Sequence, residues 1–145
     1  MAVRIGFIGT GGIASHHLNL LTNIEGAHLV SFSDVVEEKA QAAAERFEGT
    51  AYSDYRQMLD SEDLDAVYVC LPPFAHGDPE MAVIEHNMNL FVEKPLSTEL
   101  SIAQDISEAV DGAGIIAVVG YNWRHQDTAD KALEVLKGKR PVLGI

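Results

Sequence analysis

Val3-Arg4-Ile5-Gly6-Phe7-Ile8-Gly9-Thr10-Gly11-Gly12-Ile13-Ala14 decides how the rest of the chain is read. A short, near-continuous apolar run is what a strand buried on both faces needs, and this one leads directly into a glycine-rich turn. Gly9, Gly11 and Ala14 fit the pattern G-x-G-x-x-G/A between a strand and a helix. Each position has a physical reason. Gly9 permits the tight turn, Gly11 lets the backbone approach a pyrophosphate, and Ala14 lets helix and strand pack closely. The helix start then offers free N–H groups and a partial positive charge to phosphate. The plain alternative is a glycine-rich turn with no ligand.

Further apolar runs follow at His28 to Ser33, Ala66 to Leu71, Leu90 to Glu93 and Ile115 to Tyr121, with a weaker one around Ala51 and Tyr52. Between them the pattern turns helical. Ala40, Ala43, Ala44 and Phe47 share one face, and Tyr55, Met58 and Leu59 form a stripe after a cap at Ser53 or Asp54. Asp78-Pro79 reads as N-cap and first-turn proline ahead of Met81, Ile84 and Met88. Ile102, Ile106 and Val110 form the next stripe, ended by Gly112 and Gly114. Ala129, Leu133 and Leu136 form the last, stopped by Gly138 and Pro141. Strands alternating with helices, joined by right-handed crossovers, predict an α/β, doubly wound, mostly parallel six-stranded sheet with helices on both faces.

The 145 residues carry 10 basic and 22 acidic side chains, a net charge of −12, with 47% hydrophobic and 22% charged residues. That is globular composition, and its sign disfavours nucleic acid and anionic membrane as partners. The single cysteine, Cys70, reads as a buried inert thiol. His16 and His17 point in different directions on a helix, and no zinc spacing exists, so no metal site is expected. No secretory pattern opens the chain and no run is long enough for a membrane span, so the expected location is cytoplasmic.

Asp34 follows the second strand about 20 residues after Ala14, where an acidic side chain would accept hydrogen bonds from the adenosine ribose and repel a 2′-phosphate. NAD is therefore expected over NADP. Asp34 could also cap the following helix, and a glycine turn with an acidic residue equally suits an S-adenosylmethionine site. Leu71-Pro72-Pro73 with His76, and Glu93-Lys94-Pro95, end two further strands, so both face the crevice beyond the carboxyl edge of the sheet. Proline after Lys94 restricts the backbone from which the lysine springs. Such a lysine can assist proton loss from a substrate hydroxyl, although Glu93 beside it favours the charged ammonium. The alternative is an exposed Glu–Lys pair.

Taken in order, Gly9 to Ala14, Asp34, Pro72-Pro73 with His76, Glu93-Lys94-Pro95 and Gly120-Tyr121-Asn122-Trp123-Arg124 resemble the N-terminal domain of the Gfo/Idh/MocA oxidoreductases. The resemblance covers essentially the whole chain, and Glu-Lys-Pro is its most specific element. It implies an NAD(P)-dependent dehydrogenase of a sugar, cyclitol or similar hydroxyl compound. By that resemblance Gly9, Thr10, Gly11, Gly12, Ile13 and Ala14 hold pyrophosphate, and Asp34 holds the ribose. Leu71, Pro72, Pro73 and His76 line the cofactor groove. Glu93 and Lys94 lie at the nicotinamide, with Lys94 catalytic, and Asn122, Trp123 and Arg124 lie near that end. A capping role competes for His76 and a packing role for Trp123.

The resemblance also implies residues 1–122 as the NAD(P)-binding domain and 123–145 as a linking helix plus the start of a substrate domain at Leu143-Gly144-Ile145. The chain alone is then expected to bind NAD and to turn over little. Its small-molecule sugar or polyol would be chosen by the further domain. The Leu133–Leu136 stripe would be open to self-association as a homo-oligomer. A non-catalytic nucleotide-binding or sensing module is the competing reading.

Overall fold

A computed structural model describes residues 2–138. Strands β1 (Val3–Ile8), β2 (Ala27–Ser33), β3 (Thr50–Tyr52), β4 (Ala66–Val69), β5 (Asn89–Val92) and β6 (Ala117–Val119) form one sheet in the order β3-β2-β1-β4-β5-β6. Every pairing is parallel, so the sheet is wholly rather than mostly parallel. The order reverses between β1 and β4, and a crevice opens there beyond the strands' carboxyl ends.

Residue alternation along each strand divides the core into two layers. Ile5 and Phe7 of β1 meet Ala14 and Leu18 of α1 (Gly12–Leu21) and Ala43 and Ala44 of α2 (Glu37–Phe47). On the other face Val67, Val69, Leu90 and Val92 meet α3 (Tyr55–Ser61), α4 (Asp78–Glu85) and α5 (Leu100–Ala113). Phe32, Phe7, Tyr68 and Phe91 stand at paired positions on β2, β1, β4 and β5. Their rings form a row across the sheet; Phe7–Tyr68 and Tyr68–Phe91 stack at 4.9 and 4.5 Å. Such pairs add stabilisation beyond their buried area, and they stiffen the floor beneath α1.

Helix ends show where local expectations needed correction. Asp54 caps α3, its carboxylate accepting from the Arg56 N–H at 2.9 Å. For α4 the N-cap is Gly77, not Asp78, and Pro79 takes the second helical position. Gly77 has φ +128°, a conformation that suits glycine, and its N–H donates to Glu80 at 2.6 Å. Met88 lies beyond α4 in the approach to β5 but remains buried. Gly114 alone ends α5 in the left-handed conformation; Gly112 lies within the helix. β6 is shorter than its apolar run because it is an edge strand, and Ile116 and Val118 remain exposed. Helix α6 (Asp127–Leu136) buries none of its residues, and Leu133, Val135 and Leu136 face solvent. The strand expected at Leu143-Gly144-Ile145, with the Pro141 stop, lies outside the described residues.

Candidate nucleotide site

The glycine turn joins β1 to α1 at the sheet's reversal point. Gly9 has φ +85°, and its N–H donates to the Ser33 carbonyl at 2.7 Å, tying the turn to the end of β2. A Cβ on Gly9 would strike the Cys70 carbonyl, so the chain has no room for one. Gly11 differs. It is the N-cap of α1 at φ −71°, and a Cβ there would meet nothing within 4 Å. Gly12 is equally open, Ile13 is exposed on the first turn, and Ala14 is wholly buried against the sheet.

Thr10 departs from the simple picture of a phosphate loop. Its N–H and hydroxyl both donate to Asp34 Oδ2, at 2.9 and 3.1 Å, and the residue is buried. Asp34 Oδ1 accepts from the Val36 N–H at 2.9 Å. Asp34 is therefore not the N-cap of α2, a place taken by Val36; it pins the loop entering that helix to the glycine turn. Burial opposes its ionisation, yet the Thr10 and Val36 N–H groups, the Thr10 hydroxyl and Lys39 outweigh burial and hold the carboxyl below its ordinary 3.8. A depressed folded pKa adds stability above the unfolded value and loses it as pH falls through the folded one. Denaturant melts of wild type and Asp34→Asn are therefore expected to differ most above pH 3.8, and to converge in more acidic solution.

A cavity of about 550 Å³ begins at this turn, lined by Gly9, Gly11, Asp34, Leu71 and Pro72 together with Lys39 and Tyr55. Pro73 opens a single 3-10 turn, Pro73–Ala75, whose Phe74 and Ala75 complete the wall. Phe74 is 84% exposed and gave no signal in sequence beyond its place beside the two prolines. His76 does not line this cavity. It lines a neighbouring cavity with Phe74, Ala75 and Gly77; its imidazole is fully buried, Nδ1 donating to Glu80 Oε1 at 2.6 Å, and the cap of α4 is Gly77. Cys70 is buried, and burial, then the Glu93 carboxylate, push its thiol up to about 12.

Farther along the same edge, a second cavity of about 330 Å³ is lined by Lys94, Gly120, Tyr121, Asn122, Trp123 and Arg124. The 3-10 turn Asn122–His125 thus brings its side chains to Lys94. Trp123 is 76% exposed and packs into neither core layer of the described residues. The peptide joining Lys94 to Pro95 is cis. Glu93 does not form the exposed ion pair that its neighbour suggests. It is buried; Oε1 lies 2.7 Å from His17 Nε2, and Oε2 accepts the Lys94 N–H at 3.0 Å. Among the described residues no group of three or more His, Cys, Asp or Glu could hold a metal ion, and no helix is long and apolar enough to cross a membrane.

The turn fits a dinucleotide. Its outer face at Gly11 is open to the cavity, the N-terminus of α1 begins there, and the Asp34 carboxylate lines the same cavity beside the turn. Comparison with known proteins agrees. Residues 3–121 match the model of an oxidoreductase family with an NAD-binding Rossmann fold. The inositol 2-dehydrogenase of Salmonella typhimurium is 33% identical over 129 residues, covering 86% of this chain and 38% of that protein. The myo-inositol 2-dehydrogenase of Thermotoga maritima is 32% identical, with 99% and 44% covered. The crystal structure of myo-inositol dehydrogenase from Lactobacillus casei, in complex with NAD(H) and myo-inositol, superposes with a TM-score of 0.85 at 30% identity, over 98% of this chain and 44% of that one. This chain thus spans less than half the length of these relatives. The fold, the glycine turn and the family match agree: the chain belongs to the Gfo/Idh/MocA oxidoreductases and carries their NAD-binding Rossmann fold.

Proposed function

We propose that this chain is the nucleotide half of an NAD-dependent dehydrogenase that oxidises a cyclitol, sugar or similar hydroxyl to a carbonyl. The observation that carries the proposal is the alignment of two cavities along one sheet edge, one at the glycine turn and Asp34, the other at Lys94. A dinucleotide laid along that edge puts its pyrophosphate on Gly11 and the α1 N-terminus, with Asp34 at the adenosine ribose. Its other end then reaches Lys94, Asn122 and Arg124. Bound NAD supplies the hydride acceptor. The chain's own part is to fix that acceptor and to offer Lys94 as the group that hydrogen-bonds the substrate hydroxyl and eases loss of its proton. The inositol dehydrogenases among the relatives support a polyol as the substrate class.

Asp34 has both carboxylate oxygens fixed, with lone pairs left for ribose hydroxyls and no room in its charge for a 2′-phosphate. Lys39 lines the same cavity and softens that repulsion, so the preference for NAD over NADP is expected at about tenfold rather than absolute. The cavity around Lys94 has no carboxylate or imidazole among its described lining residues to receive the proton. This chain alone should therefore bind cofactor without measurable turnover of a polyol. Calorimetric titration with NAD, NADP and S-adenosylmethionine tests the reading. NAD should bind most tightly, and a lead for S-adenosylmethionine or no binding at all would overturn it.

A further inference from the structure

His17 connects the two ends of the candidate site. It lies on α1, the helix that begins at the glycine turn, and reaches Glu93 Oε1 at 2.7 Å across 76 residues of sequence. The side chains are 19% and 8% exposed, so the contact is largely shielded from water. The imidazole is also held on its faces. Phe91 meets it edge-on at 5.0 Å and Tyr68 lies 5.7 Å away, both belonging to the ring stack on the sheet. Gly120 lies against the same pair: a Cβ there would press the Phe91 ring at 3.2 Å and come into ordinary contact with Glu93 Oε1 at 3.4 Å.

A buried carboxylate needs donors, and those Glu93 has are informative. One is His17 on the phosphate-turn helix; the other is the backbone N–H of Lys94. The carboxylate therefore bridges α1 to the amide nitrogen of Lys94, one bond from the Cα that carries the lysine side chain. We infer that His17 is a positioning residue for Lys94, acting through Glu93, so that the helix that would receive the pyrophosphate also sets where the lysine stands. His17 touches neither cofactor nor substrate in this role. The consequence for hydride transfer rests on the function proposed above, but the hydrogen-bonded bridge does not.

The test uses this chain with His17→Leu, which keeps bulk against the rings and removes the donor, and His17→Gln, which restores one. Amide hydrogen exchange is followed by NMR without ligand. Lys94 exchange should accelerate about tenfold or more in His17→Leu and return to within about threefold of wild type in His17→Gln. The Gly9 amide, bonded to Ser33, should hold its rate in both. If His17→Leu does not fold, His17→Asn, too short to span to Glu93, gives the same reading. Affinities for NAD and ADP-ribose supply the second measurement: His17→Leu should weaken NAD by about tenfold and leave ADP-ribose unchanged, since only the nicotinamide end feels Lys94. Unchanged Lys94 exchange, equal acceleration at Gly9 and Lys94, or equal weakening of both ligands would each overturn the inference. The expected exchange pattern in a chain that binds no NAD would uphold the bridge while removing the proposed function.

Discussion

Gly9→Ala should lose NAD affinity by about 100-fold or more and unfold at visibly lower denaturant, whereas Gly11→Ala should lose affinity with its stability intact. The contrast follows from geometry. An alanine at φ +85° costs about 1–2 kcal/mol from backbone sterics alone. Its methyl would also strike the Cys70 carbonyl and press Leu71 Cδ2 at 3.0 Å. Cys70 cannot yield cheaply, because its N–H is bonded to the Ile8 carbonyl at 2.8 Å. The turn must move instead, drawing Thr10 from Asp34 and shifting the N-terminus of α1. Total destabilisation of about 2–4 kcal/mol is expected, on the scale of a strained backbone plus overpacking. At Gly11 the backbone is ordinary and a methyl meets nothing, so the protein tolerates it. That methyl does enter the cavity where a pyrophosphate would approach the backbone. Denaturant melts and NAD calorimetry on the two variants check both halves. A Gly9→Ala chain with native affinity, or a Gly11→Ala chain that loses as much stability as Gly9→Ala, would contradict the argument.

The sheet was largely legible because its strands are buried on both faces and so carry dense apolar runs such as Val3–Ile8 and Ala66–Val69. The glycine turn was legible for a different reason: backbone constraints at Gly9 and close packing at Ala14 demand particular residue types at fixed spacing. Edge strand β6 was read too long, since Ile116 and Val118 are apolar without being covered. Contacts between side chains far apart in sequence left no local trace. The His17–Glu93 bond is one, and it turned a supposed surface ion pair at Glu93-Lys94 into a buried bridge from Glu93 to His17 and to the Lys94 backbone N–H. Thr10 is another; its letter gave no hint that both its donors turn inward to Asp34. Trp123 misled in the opposite direction, because a large aromatic usually packs, yet this one lines a cavity at 76% exposure. Glu80 did have a readable signal, three residues after Gly77 and four after His76, the spacings at which a first-turn carboxylate reaches back to a cap.

That carboxylate is the second place where a single change should matter most. Glu80 and His76 have fully buried side chains, and Glu80 divides its oxygens between His76 Nδ1 and the Gly77 N–H, each at 2.6 Å. Replacing Glu80 with leucine removes the acceptor from a buried imidazole and a part-buried backbone N–H at once. Leaving these donors without their acceptor costs about 1–3 kcal/mol each, offset in part by the transfer gain from a leucine side chain. Glu80→Leu is therefore expected to lower unfolding free energy by about 1–3 kcal/mol. His76 already has one strained feature, a buried Nε2 with no hydrogen-bond partner in the structure. Removing the imidazole as well should then recover part of the loss, so His76→Leu/Glu80→Leu is expected to be more stable than the sum of the single changes by about 1–3 kcal/mol. The recovery stays partial because the Gly77 N–H remains unsatisfied at φ +128°, where the chain enters α4. Loosening there reaches the nucleotide cavity through Phe74 and Ala75, so NAD affinity should fall less than stability does. Denaturant melts of the two singles and the double, with NAD titrations at a temperature where all three are folded, measure both effects. Strict additivity of the two substitutions would show that Glu80 supports Gly77 alone, with the imidazole a bystander.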